Sequence, residues 1–323
     1  MARYWLDNVP SIPLYLLPMP EDANAEAIAT RLLPLQTGGQ FNIVVTSFNE
    51  PAALGAVARH LEVMGRGDKG RDGLLFAAKS GSFEDLLTFL EDGSPAAEAA
   101  GARAPVNFKT LTLLASPVVK SSGTDNFPDY MKAMIYAATV APEAQIDPSR
   151  PFHSLTLKDL PAPLEEDEFS EGELENLVTA GYAVYGVTFN RDSQLLRAVT
   201  TYTKNAAGNP DDSFTDINIP LTMSRLRYSF VSYFFNKFIS ARYKLASDDS
   251  LPPPGALVLQ PKTAKPEAFT VFDQWAEKQY IEDTQALRQS LVVEKDRNYL
   301  IFSFAPNLIE ILLGVAGKAV MVR

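Results

Sequence analysis

The stretch RYSFVSYFFNKFISARYK, residues 227–244, places seven aromatic rings and four cationic side chains in eighteen positions. Interleaved in this way, rings can stack bases while cations hold phosphates, the chemistry of a single-strand nucleic-acid groove. The charge balance argues against it. The 323 residues carry 29 Lys and Arg against 39 Asp and Glu, and a net charge of −10 repels a polyanion unless the cations gather on one surface. Wound at about 100° per residue, Leu226, Phe230, Tyr233, Phe234 and Ala241 share one side, and Val231, Phe235 and Ile239 continue the apolar surface. Ser229, Ser232, Asn236 and Ser240 form a narrow polar stripe, while Arg225, Arg227, Lys237, Arg242 and Lys244 point in several directions. A groove needs one positive track, and this helix has none. The pattern predicts a helix enclosed on most sides by protein, and no nucleic-acid partner.

Other residue sets that could do chemistry fail on their order or company. GRGDKG (65–70) matches the dinucleotide fingerprint G-x-G-x-x-G, but it leaves a predicted helix and enters a predicted strand, the reverse of what converging amides require. His60 falls mid-helix and His153 in a loop after Pro151, neither with a local carboxylate or nucleophile to complete a catalytic set. Two histidines without a cysteine make a poor zinc site, and Asp211, Asp212 and Asp216 lack calcium-loop spacing. A serine hydrolase would need an embedded nucleophile, and the nearest string, SSGTDN, has the wrong order. No cofactor, metal or enzymatic activity is expected. Absence of cysteine excludes disulfides and suits folding in a reducing compartment.

The elements around these residues read as alternating strands and helices. FNIVVTS (41–47), GLLFAAK (73–79) and FKTLTLLA (108–115) are buried-strand runs. Helical patterns follow each: one opened by Pro51 with Leu54, Val57, Ala58, Leu61 and Met64 on one side, one capped by Ser82 and Asp85, and DYMKAMIYAATVA. Three such units imply a parallel sheet with helices packed on it. Residues 165–175 hold seven acids, with Ser170 and Glu173 capping a helix that ends near Gly181. AVYGVTF and QLLRAVTTY, joined by NRDS, read as a hairpin without a turn glycine. A helix over 266–289, the strands LVVEK and YLIFSF, a short helix after Pro306 and the run KAVMVR follow. At the amino end Pro10, Pro13, Pro18 and Pro20 forbid a helix and favour an extended arm, whose Trp5, Ile12, Leu14 and Leu16 need a surface. No signal peptide or membrane insertion is expected.

The block AVTTYTKNAAGNPDDSFTDINIPLTMSRLRYSF (198–230), followed by ARYKLASDD, resembles the signature of Mu-like tail sheath proteins of contractile-tailed bacteriophages. FNIVVTSFNEPAAL, GLLFAAKSGSFEDLLTF, DPSRPFHSLTL and LVVEKDRNYLIFSFAPNLIEILLGVAGKAVMVR are similar to further family segments in the same order, so the resemblance spans about residues 40–323. It implies an α+β protein: a three-layer, subtilisin-like α/β domain of parallel βαβ units over residues 26–165, then a smaller C-terminal sheath domain over 166–316. An extended N-terminal arm (1–25) and a terminal strand (317–323) donated to a neighbour complete it. The expected function is structural, a subunit polymerising as stacked hexameric rings around a tail tube and contracting to drive it through an envelope. The partners implied are other copies of the chain, the tube protein, and baseplate and tail terminator proteins, in a virion tail assembled in the host cytoplasm. Lys318, Ala319, Val320, Met321 and Val322 are the candidate inter-subunit strand, and Arg225, Arg227, Lys237, Arg242 and Lys244 the candidate tube contacts. The alternatives are a hydrolase-like enzyme and a monomeric binding module.

Overall fold

The computed structural model describes residues 1–19, 25–32, 40–67, 69–91, 106–118 and 127–313. The chain forms two compact units, Met1–Ser224 and Arg225–Arg323.

The first unit is built on a sheet whose strands lie in chain order: β1 (Ile43–Val45), β2 (Leu74–Ser80), β3 (Leu111–Ser116), β4 (Tyr182–Val187) and β5 (Ser193–Arg197). β1 to β4 are parallel, and β5 returns antiparallel to β4. Strand alternation sends successive side chains to opposite faces. Leu74, Phe76, Ala78, Leu114 and Ala183 enter one core with α1 (Ala2–Asn8) and the long helix Asp129–Ile146; Leu75, Ala77, Leu111, Leu113 and Tyr182 enter the other with α2 (Ala25–Leu32), α3 (Pro51–Met64), α4 (Phe83–Glu91) and the helix Glu171–Ala180. The long helix is α5 and the acidic one α6. Helices therefore cover both faces, which is why β2 and β3 are mainly apolar on both sides rather than alternating, with Thr112 a buried exception bonded to Tyr136 OH and the Val199 carbonyl. β4 and β5 lie beyond the expected border at residues 165–166, yet they belong to this same sheet.

Local chemistry accounts for the element ends. Pro51 opens α3, where its missing N–H is no loss. Ser170 and Glu173 form a capping box at α6, which stops at Gly181 with φ 100°. A Cβ at Gly181 would also meet the Thr201 Cα at 3.1 Å, so both backbone and space require glycine. The glycine-free turn between β4 and β5 places Arg191 at φ 63°. Its guanidinium bonds to Glu168 at 2.5 Å and to the Pro163 carbonyl, contacts that offset the backbone strain.

Three sequence expectations are corrected. Ala2–Asn8 is helical, because the prolines that bar a helix begin only at Pro10. The helix expected over 266–289 runs over Pro261–Glu277 (α8), breaks at β8 (Ile281–Glu282), and resumes as α9 (Thr284–Ser290), with Pro261 rather than Pro266 at its start. No helix follows Pro306 among the described residues: Asn307–Leu308 form β11, antiparallel to β8.

At the carboxyl ends of the parallel strands a polar chain joins β2, β3 and β4 to the loop that follows β1. Lys132, on the first turn of α5, is fully buried and donates to Ser80 Oγ at 2.5 Å, Ser116 Oγ at 2.9 Å and the Pro117 carbonyl at 3.2 Å. Asp129, 3.9 Å from the ammonium, accepts from Ser80 and from Asn49 Nδ2, and Ser116 Oγ shares a proton with Tyr185 OH. A lysine that activates serine must be neutral and accept its proton. Lys132 instead spends three N–H groups as a donor, so the arrangement ties strand ends together.

Burial lowers the Lys132 pKa to about 8, with Asp129 pulling back in the other direction. The unfolded chain therefore holds a proton that the folded chain has released between pH 8 and the ordinary lysine range, so stability rises with pH through that window. It should gain about 1 kcal/mol between roughly pH 8 and 9, before most of the unfolded tyrosines ionise. Lys132→Met should flatten that rise in urea midpoints measured at both pH values. An unchanged slope would show that the ammonium is not desolvated as described.

Candidate assembly site

The second unit is organised by the helix that the opening sequence pattern predicts. α7 (Asn218–Phe234) contains the border between the units and continues into a π turn, Phe235–Ile239. Leu226, Phe230, Phe234 and Phe238 are buried, each four residues from the last. In an α-helix that spacing overshoots a turn by about 40° at every step. The π turn, in which Ser240 N–H donates to the Phe235 carbonyl at 2.9 Å, is wider and returns Phe238 to the same side. Phe238 then stacks on Phe234 with centroids 5.7 Å apart.

Phe230 is the centre of the packing. Its ring lies 4.9 Å from Phe234, 6.0 Å from Trp275, 5.0 Å from Phe302 and 5.1 Å from Phe304. Trp275 Nε1 donates to Ser229 Oγ at 2.9 Å, so the small polar residue of the helix satisfies the buried indole. These rings are turned inward and are not available to stack on bases.

The opposite side of the helix is a correction. Val231, Phe235 and Ile239, where the sequence pattern predicts enclosure, are exposed at 58%, 52% and 64%, and Tyr228 beside them at 61%. The i+4 ladder packs on the other side of the helix.

Phe302 also fixes the strand pair β9 (Val292–Asp296) and β10 (Tyr299–Ser303). Their antiparallel register, Tyr299 with Asp296 to Ser303 with Val292, leaves a two-residue turn in which Arg297 has φ 49°. Phe302 faces inward, while Tyr299 and Ile301 are exposed at 73% and 43%. Among the described residues the sheet has two strands, and no other strand pairs with either outer edge. A hairpin alone is marginal in water, and two unpaired edges are templates for another strand. Sequence reading finds both strands but not that their outer edges stay unpaired among the described residues, because a pattern of side chains does not report backbone pairing.

The candidate site residues fall in different places. Lys237 donates to Glu267 at 2.5 Å and to Tyr233 OH at 3.0 Å, and these bonds, Glu267 first, raise its pKa. Arg225 and Arg227 are half-buried on α7, Arg242 is exposed with φ 58°, and Lys244 is exposed on β6 (Lys244–Leu245), which pairs with β7 (Val258–Leu259). In the first unit Trp5 is buried and its Nε1 donates to the Ile12 carbonyl at 3.0 Å; Ile12 and Leu14 pack against the core of that unit, and Leu16 is exposed. Lys318, Ala319, Val320, Met321 and Val322 lie outside the described residues.

Nothing else among the described residues assembles a reactive site. His60 is on α3, its pKa lowered by burial and then by Lys69, and His153 Nδ1 pairs with Ser154 Oγ at 3.1 Å. Asp211 accepts from Ser213 and Tyr202, the bonds of a turn residue. No cluster of metal-ligating side chains occurs among the described residues, and no helix there is long and apolar enough to cross a membrane.

The chain is 30% identical over 258 residues to the Mu-like prophage FluMu tail sheath protein of Haemophilus influenzae, a match covering 80% of this chain and 48% of that protein. The chain thus spans about half the length of the curated relative it matches. In fold it is similar to the sheath tail protein of Desulfitobacterium hafniense, with a TM-score of 0.54 at 11% identity over 88% of this chain and 60% of that one. It is also similar to the helical sheath of the anti-feeding prophage in its contracted state, with a TM-score of 0.57 at 10% identity over 94% of this chain and 77% of that one. No family model matches the chain. Sequence and fold both place the resemblance with sheath proteins, and they favour neither a hydrolase nor a monomeric binding module.

The two sides of the helix should respond oppositely to truncation. Phe230→Ala should cost about 3–5 kcal/mol of the second unit's stability, and Tyr228→Ala should stay within about 0.5 kcal/mol of the parent in denaturant titrations. Equal losses at both positions would mean that the exposed stripe is packed.

Proposed function

We propose that this chain, which shares sequence and fold with tail sheath proteins, is the structural subunit of a contractile sheath. Copies of it polymerise as stacked hexameric rings around a tail tube and contract to drive that tube through a cell envelope. The observation that carries the reading is the 30% identity to a tail sheath protein over 258 residues. The open-edged hairpin β9–β10 supports it with a physical means of linkage. In this reading Lys318 to Val322 of one copy add as a strand to that hairpin in a neighbour, where Glu294 and Asp296 complement Lys318 and Arg323 in charge. At about 0.5–1.5 kcal/mol for each net hydrogen bond, a few bonds give several kcal/mol per link. Such a link can hold while the bodies it joins rotate as rigid units.

The same reading keeps a subtilisin-like α/β body, a smaller C-terminal sheath domain and terminal arms. It adds the tube, baseplate and tail terminator proteins as partners, in a virion tail or tail-like particle assembled in a bacterial cytoplasm, and assigns no catalysis. Trp5, Ile12 and Leu14 pack on their own unit, so the exposed residues Tyr15, Leu16 and Leu17 are the part of the N-terminal arm left to reach another molecule. For the tube contact the candidates are Arg225, Arg227, Lys237, Arg242 and Lys244, of which Lys237 also bonds to Glu267.

Removing residues 318–323 should abolish rings and tubes in negative-stain micrographs while circular dichroism stays that of the parent. Normal assembly by the truncated chain would remove the strand-addition reading. Arg225→Glu with Arg227→Glu should weaken co-sedimentation with purified tubes, with the loss largest at low salt. Unchanged co-sedimentation would strike those two residues from the tube contact.

A further inference from the structure

Charge is segregated along this chain in a way the net value conceals. From Asp159 to Asn190 there are eight acids and no Lys or Arg, whereas from Ile217 to Ser247 there are five cations and no Asp or Glu. Each block carries an apolar surface that its own unit leaves uncovered.

The basic block holds the stripe Tyr228, Val231, Phe235 and Ile239. At 100° per residue the first three fall within about 60° of one another, a single ribbon along the helix. Arg242 N–H donates to the Ile239 carbonyl at 3.0 Å, which sets this exposed cation at the ribbon's end. The acidic block holds a knob. Phe189, on the turn between β4 and β5, is fully exposed, and Leu164 is 57% exposed. Arg191 binds this turn to segment 163–168 through the Pro163 carbonyl, Glu168 at 2.5 Å and Glu165 at 4.0 Å. The knob is thereby rimmed by the exposed Glu165, Glu166 and Asp167, with Asp192 on the turn itself, and the one cation of the turn, Arg191, is paired with Glu168 and Glu165 within that rim. A single exposed phenylalanine is ordinary, but Phe189 and Leu164 inside an acidic rim form an apolar centre that an apolar surface of opposite charge can cover.

We propose that the acidic Phe189 knob of one copy docks on the basic Tyr228–Ile239 stripe of a second copy. The occupant is another copy because the two surfaces are complementary in sign and in apolar centre, and every chain has both. At a net charge of −10 two copies repel at long range, and a local pairing of opposite charge such as this one offsets that repulsion and orients the approach. Different surfaces meet, so the contact is heterologous and repeats from copy to copy, closing a ring or extending a helix. The inference rests on the sheath reading and names a contact within it.

The chain contains no cysteine, which makes cross-linking unambiguous. Phe189→Cys and Val231→Cys are made in separate chains, co-expressed, and treated with a short bismaleimide after assembly. The expected result is a covalent heterodimer that neither variant forms alone, with a yield that falls several-fold when assembly is carried out in 1 M rather than 0.1 M salt. Phe235→Cys in place of Val231→Cys should reproduce it, which guards against a local folding defect. Normal rings or tubes without the heterodimer, or capture of the tube protein by Val231→Cys instead, would overturn the contact and leave the sheath reading intact. Failure of the unaltered chain to form any ring or tube would overturn both.

Discussion

The second unit depends on where one ring sits. Phe230 touches rings from its own helix, from α8 and from the strand that follows β9, and it is 7% exposed. Aromatic pairs at these separations add about 0.5–1.5 kcal/mol each beyond the area they bury. Their larger effect is geometric, because Phe302 cannot face Phe230 and Phe234 without setting the pleat of β10. Tyr299 and Ile301 then point away, and the hairpin's edges are presented without any residue of the edges themselves being chosen for that purpose. The π turn belongs to the same constraint. A ladder spaced by four residues drifts off an α-helical face, and one wide turn at Phe235–Ile239 keeps the last ring in the cluster.

The first unit is stiffened differently. Its sheet packs apolar side chains on both faces, and the buried ammonium of Lys132, from α5, is held by three acceptors at the ends of neighbouring strands. Taking a lysine out of water is unfavourable, as its lowered pKa shows, so its presence does not favour the fold by itself. What it supplies is specificity, because only one arrangement of β2, β3 and α5 satisfies all three donors. A mechanical part benefits from that trade: a body that must rotate without deforming needs a unique interior more than a maximally stable one. This links the buried polar chain to the proposed work without assigning it any catalysis.

Much of this was legible in the residues. The βα units follow from apolar runs of strand length separated by one-sided helical patterns, and the Ser170–Glu173 box and Gly181 delimit α6 as their chemistry requires. Burial of Phe230 and Phe234 is also visible from winding the helix. The differences have separate causes. Proline acts locally rather than on a whole segment, so Ala2–Asn8 folds as a helix upstream of Pro10 and α8 tolerates Pro266. The uncovered face of α7 was missed because an apolar side chain in a sequence does not say whether its partner is in the same molecule. Unpaired strand edges were missed because backbone amides have no letter in the sequence.

That last ambiguity gains meaning from charge. An apolar face on an isolated monomer would be a liability to aggregation, and the usual remedy is to scatter charges of both signs around it. Here the charges are sorted: acids gather near Phe189, where Arg191 is held by Glu168 and Glu165, while the segment bearing the stripe has cations and no acid of its own. Sorting does not help solubility, since each patch attracts the other on every encounter. It does help orientation, since a copy approaching the wrong way meets its own sign. A strand link fixes which molecules are joined but tolerates a range of angles, while a sorted pair of surfaces selects an angle and weakens with salt. A polymer that must hold its members together and still let them turn needs both kinds of contact, one tight in connectivity and one reversible in geometry.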